Sequence, residues 1–242
     1  MSVTGWIELT GLFRIFVLLV LLLSDAAVAE RGSGARGFDE PTLRLQAKAE
    51  DLYRNGDWGR AYFIYVHDLA AIGDKYAQYM AGYMWHHGKG VSYDPVRASA
   101  WYRLAAERGA PEFVEVRDQL LESMSETERQ ASDQVFITLR QTYSDLVLAL
   151  AQLRKEREAL AERPTGSRLS GSSSMVTIID PKTGVTITRG EYVRRIEAGM
   201  QRRLDYITTR IGIDKVEADV SDREFESLVD QVSAYLQLID DR

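Results

Sequence analysis

Apolar and polar positions follow a helical period over most of this chain, and the breaks in that period divide it into elements. Pro41 opens a first helix that carries Leu45, Ala49, Leu52 and Tyr53 on one face and stops at Asn55-Gly56. A second helix starts near Asp57-Trp58 and runs to about Ile72. Between residues 73 and 111 small residues occupy the positions where two helices would touch: Ala77, Ala81 and Gly82, then Ala98, Ala105 and Ala106. Trp85, Trp101 and Tyr102 fill the space beside them. Gly88 and Gly90 permit a tight reversal, and Asp94 followed by Pro95 reads as a cap and first helical position. This pattern predicts a close-packed pair of helices.

The stretch from Ala77 to Gly109 resembles, nearly position for position, one Sel-one-like repeat, a relative of the tetratricopeptide repeat. Ala49, Leu52, Tyr53, Gly56, Asp57, Trp58, Ala61 and Tyr65 resemble a tetratricopeptide unit with a short turn, and Leu69-Ala70-Ala71 echoes Leu104-Ala105-Ala106. The resemblance covers about residues 43–130. It implies an all-α fold with a short helical-repeat solenoid, assigned to residues 40–130, whose structural positions are Ala77, Gly82, Trp85, Gly88, Gly90, Asp94, Ala98, Trp101, Tyr102, Ala105 and Gly109. Proteins of this kind generally serve as adaptors, so the resemblance also implies a protein partner.

Phe113, Val116 and Leu120 continue the period, and Ser125 with Glu128 forms a capping box for a long helix expected to reach about Arg163. Leu139, Leu146, Leu153 and Leu160 recur every seven residues, with Phe136, Tyr143 and Leu150 at companion positions. The seam over residues 131–163 reads first as a surface whose first half covers the end of the repeats and whose second half frays or packs on the C-terminal helices, and second as a homodimeric coiled coil. Residues 164–174 are a Pro/Gly/Ser linker. Residues 175–242 read as a small β-hairpin around Pro181-Lys182-Thr183-Gly184 followed by two antiparallel helices. One helix carries Val193, Ile196, Met200, Leu204, Ile207 and Ile211; the other carries Phe225, Leu228, Val232, Tyr235, Leu236 and Ile239. Arginines crowd the first and acids the second, which points to opposite charges on neighbouring helices.

The N-terminus changes the setting. Arg14 precedes an apolar run over residues 15–23, and Ala27-Val28-Ala29 fits the small-residue rule for signal cleavage. The run is short of the roughly 20 apolar residues of a spanning helix. Residues 1–29 are therefore expected to be a cleavable signal peptide, residues 30–39 a flexible lead, and the mature chain periplasmic or secreted with no stable membrane span. With 30 basic and 36 acidic side chains the net charge is −6, which gives no global attraction to nucleic acid. The absence of cysteine leaves an exported domain to be held by packing alone.

Candidate chemistry is sparse. Adjacent His86 and His87 diverge by about 100° on a helix, which does not suit one metal ion. Nucleophile elbows, phosphate loops and dinucleotide fingerprints are lacking, so the reading is non-enzymatic, with no cofactor and no metal. The candidate site is a second stripe on the first helix of the central repeat: Tyr76, Tyr79, Met80, Tyr83 and His87, which makes that helix apolar nearly all round. Such a stripe lines a binding groove or is itself covered. The expected function is an exported scaffold of a bacterial envelope that binds protein through this stripe. A cell-wall glycan or peptide module is the alternative, and an envelope hydrolase akin to β-lactam-binding repeat proteins comes last.

Overall fold

A computed structural model describes residues 40–161, 177–179, 186–219 and 221–240. The proposed signal peptide, lead, linker and β-turn lie outside the described residues. Within them the protein is all-α apart from one two-stranded sheet. Helix α1 (Glu40–Arg54) is followed by α2 (Trp58–Phe63), which continues as a π-helical segment, Ile64–Leu69, and a 3₁₀ turn, Ala70–Ile72. Then come α3 (Lys75–His87), α4 (Pro95–Ala105) with a 3₁₀ turn at Ala106–Arg108, α5 (Pro111–Ser123), α6 (Glu126–Tyr143) and α7 (Asp145–Ala161). Strands β1 (Thr177–Ile179) and β2 (Thr186–Thr188) pair antiparallel with Ile178 opposite Ile187. Helices α8 (Arg189–Ile211) and α9 (Asp222–Asp240) complete the chain.

Local chemistry sets the ends of α3 and α4. The Asp74 carboxylate accepts from the backbone N–H groups of Tyr76 (2.9 Å) and Ala77 (3.2 Å), and that of Asp94 from Arg97 (2.9 Å). Between the two helices small side chains allow close approach. Ala77, Ala81, Ala98 and Ala105 are fully buried, and a Cβ on Gly82 would lie 2.7 Å from the Tyr102 ring. Gly90 is required for a reason besides its left-handed backbone (φ 73°): a Cβ there would meet the Trp58 carbonyl at 2.6 Å. The loop after α3 thus lies against the start of α2, with Lys89 Nζ over the Trp58 ring at 4.0 Å. Gly90→Ala is expected to destabilise by about 1–3 kcal/mol through overpacking, read as a lowered urea midpoint with an unchanged slope.

One expected element is divided. The helix read as continuous from Ser125 toward Arg163 breaks at Ser144, whose ψ of 150° leaves the helical region. The heptad leucines separate accordingly. Phe136, Leu139 and Tyr143 pack on Val66, Ala70, Ala81, Trp101 and Leu104. Leu146, Leu150 and Leu153 instead share a core with Met200, Leu204 and Ile207 of α8 and Phe225, Leu228 and Val232 of α9. The seam is consumed inside one chain, and the C-terminal core is built by three helices, α7 to α9, rather than by the last two alone. Charge pairing also runs through α7: Arg203 of α8 meets Glu156 at 2.8 Å, and Arg157 meets Asp222 of α9.

The break is held by tertiary partners. Tyr143 O, which a continued helix would have engaged, accepts from Gln78 Nε2 (2.9 Å), and the Asp145 N–H donates to Glu107 Oε2 (3.0 Å). Asp145 takes two hydrogen bonds from Arg108, both 2.7 Å. Lys75 Nζ reaches Glu107 (2.8 Å), Asp145 (3.3 Å) and the Leu104 carbonyl (2.9 Å). One buried ionic knot therefore joins the start of α3, the turn after α4 and the start of α7.

Candidate functional site

The stripe predicted on α3 becomes an aromatic ladder because residues three and four apart share a helix face. Tyr76, Tyr79, Tyr83 and His87 follow one another with ring centroids 6.3, 6.3 and 4.0 Å apart. His87 Nδ1 donates to the Tyr83 carbonyl at 3.0 Å, which fixes the last ring. Neighbouring helices contribute at the sides: Tyr53 of α1 meets Tyr83 edge-on at 6.3 Å, and Phe113 of α5 stacks on Tyr79 at 5.5 Å. The first, third and fifth helices thus present their rings to one side.

Burial corrects part of the expectation. Tyr79 is 8% exposed and Met80 5%, so both belong to the core and neither is available for docking. Tyr79 is enclosed by Tyr102 on one side and Phe113 on the other, each 5.5 Å away. The cover comes from α4 and α5. What remains accessible is the edge of the ladder, the half-buried Tyr53, Tyr76, Tyr83 and Phe113, with His87 exposed at its end.

Burial keeps the Tyr53, Tyr76 and Tyr79 phenols protonated at physiological pH. Burial pushes the Tyr79 phenol up to about 12, with the neighbouring Tyr83 adding to it. Tyr53 and Tyr76 rise further for the same leading reason. Protonated phenols can both donate and accept hydrogen bonds while their rings offer apolar area. Burial also lowers His86, and the adjoining His87 lowers it further, so that imidazole is neutral at pH 7. His86 lies against Tyr102 and Tyr93. Among the described residues no three His, Cys, Asp or Glu side chains converge to hold a metal ion.

The remaining sequence-predicted positions are structural in location. Trp101 and Tyr102 are buried between helices, and Trp85 donates from Nε1 to Tyr62 Oη at 2.9 Å. Gly88 and Gly109 adopt left-handed backbone angles at the ends of α3 and of the turn after α4. The residues not foreseen are those of the ionic knot and a set of arginines, Arg103, Arg117, Arg140 and Arg210, around a cavity lined by residues of α4 to α9. Ser144-Asp145 inside the heptad run was the available signal for the knot, since serine followed by an acid is a helix-start pattern.

No family model matches the chain, and no solved structure matches it. Among curated proteins it is 38% identical over 86 residues to a protein named Centlein from Mus musculus. That stretch is 35% of this chain and spans 6% of the length of Centlein. Among the described residues no helix is long and apolar enough to cross a membrane.

Proposed function

We propose that this chain is a non-enzymatic scaffold whose first five helices form a short Sel-one-like repeat stack, and that it binds a protein partner across the outer edge of the aromatic ladder. The observation that supports this is the shared orientation of Tyr53, Tyr76, Tyr83 and Phe113 from α1, α3 and α5. Alternate helices of a stacked array face one side, and a face of phenol rings with one phenyl and one imidazole suits an extended or helical peptide with apolar anchors. Tyrosine edges give contact area at little conformational cost. Export by the N-terminal segment would place this scaffold in a bacterial envelope.

The test uses the accessible residues. A photocrosslinking amino acid at position 87 should capture a discrete partner in the native envelope, identified by mass spectrometry. Tyr83→Ala with His87→Ala should cost about 1–2 kcal/mol of stability, from the aromatic pairs lost. It should weaken binding of the purified partner by about tenfold or more, as for one hot-spot residue. Unchanged affinity in that double variant would remove the ladder edge as the binding face. Retention of the parent chain on purified cell-wall glycan, abolished by the same variant, would replace the protein partner with a glycan.

A further inference from the structure

We propose that the ladder edge contains a lysine-reading subsite, in which an ammonium of the partner lies against the Tyr53 and Tyr76 rings and donates to Glu50 and Tyr65. The inference rests on the ladder edge as the docking face and adds the chemistry that the partner carries there. Helical spacing on α1 locates the subsite. Gln46, Glu50 and Tyr53 share one face of that helix. Gln46 Nε2 donates to Asp74 at the start of α3 (2.6 Å), and the Tyr53 ring meets that of Tyr83 further along α3. Glu50, between the two, therefore lies beside Tyr76, and its charge acts on the phenols of both Tyr76 and Tyr65. Glu50, Tyr53 and Tyr76 are all half-buried, so the subsite is entered from the open edge.

A buried polar atom beneath this place has nothing to bond. Tyr65 is 1% exposed, and among the described residues its hydroxyl oxygen has no hydrogen-bond partner. Tyr65 belongs to the π-helical segment Ile64–Leu69, a departure from α-helix that is frequent at functional sites. Its ring meets that of Tyr76 edge-on at 6.5 Å. An unpaired buried hydroxyl is unfavourable, so it calls for a bonding group from outside the chain. Electrostatics choose the sign of that group. Burial raises the Glu50 carboxyl; Arg54 opposes this, and Asp51 and Asp74 add to it. Arg54 is itself exposed and paired with Asp51. A cation beside Glu50 offsets its desolvation, and phenol rings attract cations through their faces. Ammonium fits better than guanidinium, because one carboxylate and one hydroxyl are few acceptors for a planar fork of donors. A lysine stem also lies along the tyrosine rings as apolar surface.

NMR titration of the purified full chain tests this with Nα-acetyl-lysine methylamide and its norleucine counterpart. The lysine derivative should shift the amide resonances of Glu50, Tyr53 and Tyr76 and bind about tenfold or more tightly than the norleucine one. Acetylation of its Nε should remove that preference, and so should Glu50→Gln. Tyr65→Phe should weaken binding about threefold or more without lowering the urea midpoint, because the lost hydroxyl has no partner in the described chain. The proposal is overturned if the norleucine derivative binds as tightly or if Glu50→Gln keeps the preference. It is also overturned if Tyr65→Phe keeps parental affinity or lowers the midpoint. Failure of these titrations, with partner affinity still lost in the Tyr83→Ala, His87→Ala double variant, removes the subsite and leaves the docking face. Unchanged partner affinity in that double variant removes the docking face and, with it, the role of the subsite.

Discussion

Lys75→Met is expected to lower the stability of the protein by about 3–5 kcal/mol, because it removes one partner from a buried charge cluster and leaves the others uncompensated. The Lys75 side chain is 7% exposed, against 15% for Glu107 and 10% for Asp145. At this burial water replaces little of what is lost. Arg108 stays on Asp145, but Glu107 would keep only backbone and solvent partners. Methionine retains most of the lysine stem, so the loss reports charge rather than volume. Urea denaturation of parent and variant at pH 7 reads it; a change below about 1 kcal/mol would show the knot to be as dispensable as a surface pair.

The same knot gives the stability a pH signature. Burial alone would raise the Asp145 carboxyl, yet the hydrogen bonds from Arg108 and the Lys75 charge outweigh it and hold the group below the ordinary carboxylate value. A depressed carboxylate stabilises the fold above its unfolded pKa of about 3.9, and that contribution is lost as pH falls through the lower folded value. The parent should therefore hold its Asp145 contribution down to about pH 4 and lose it below. In Lys75→Met one depressing charge is gone, so the folded value moves toward the unfolded one: the loss begins at the same pH but is smaller and is complete at higher pH. Urea midpoints measured from pH 7 to pH 3 for both proteins check the displacement.

Trp101→Ala should cost about 3–5 kcal/mol, the range for truncating a buried aromatic. Trp101 is 3% exposed and occupies the centre of the cluster where α2, α3 and α4 meet α6. Its ring lies 4.9 Å from that of Tyr143, the last residue before the break at Ser144. Loss of the indole would remove support from α6 and from the point where the chain turns toward the C-terminal core. Faster amide exchange in α6 than in α1 would locate the damage there. A melting curve superimposable on the parent would exclude Trp101 from the supporting core.

Much of the helical layout was legible because it depends on local rules. The cap at Asp94, prolines at first helical positions and glycines with left-handed backbones act within a few residues of themselves. The small-residue seam was legible too, since Ala77, Ala81, Gly82, Ala98 and Ala105 recur at helical spacing. The heptad run over residues 131–163 was legible in outline, its first half against the repeats and its second against the C-terminal helices, but not its break at Ser144, because a seven-residue repeat states that a helix has an apolar stripe and not where tertiary partners interrupt it. Two covers were on offer within the same chain, one on each side of Ser144.

The candidate site divides the same way. The order Tyr76, Tyr79, Tyr83, His87 alone placed four rings on one side of α3. Only the packing of Tyr102 and Phe113 decided that Tyr79 is core and that its neighbours keep an open edge. Lys75, Glu107 and Asp145 meet across 32 to 70 residues of sequence, and the cavity arginines come from four helices, so no local pattern announces either. Backbone conformation and amphipathic faces were set by neighbours in the chain; which charges are buried together, and which rings stay open, was decided by contacts that exist only once distant helices have met.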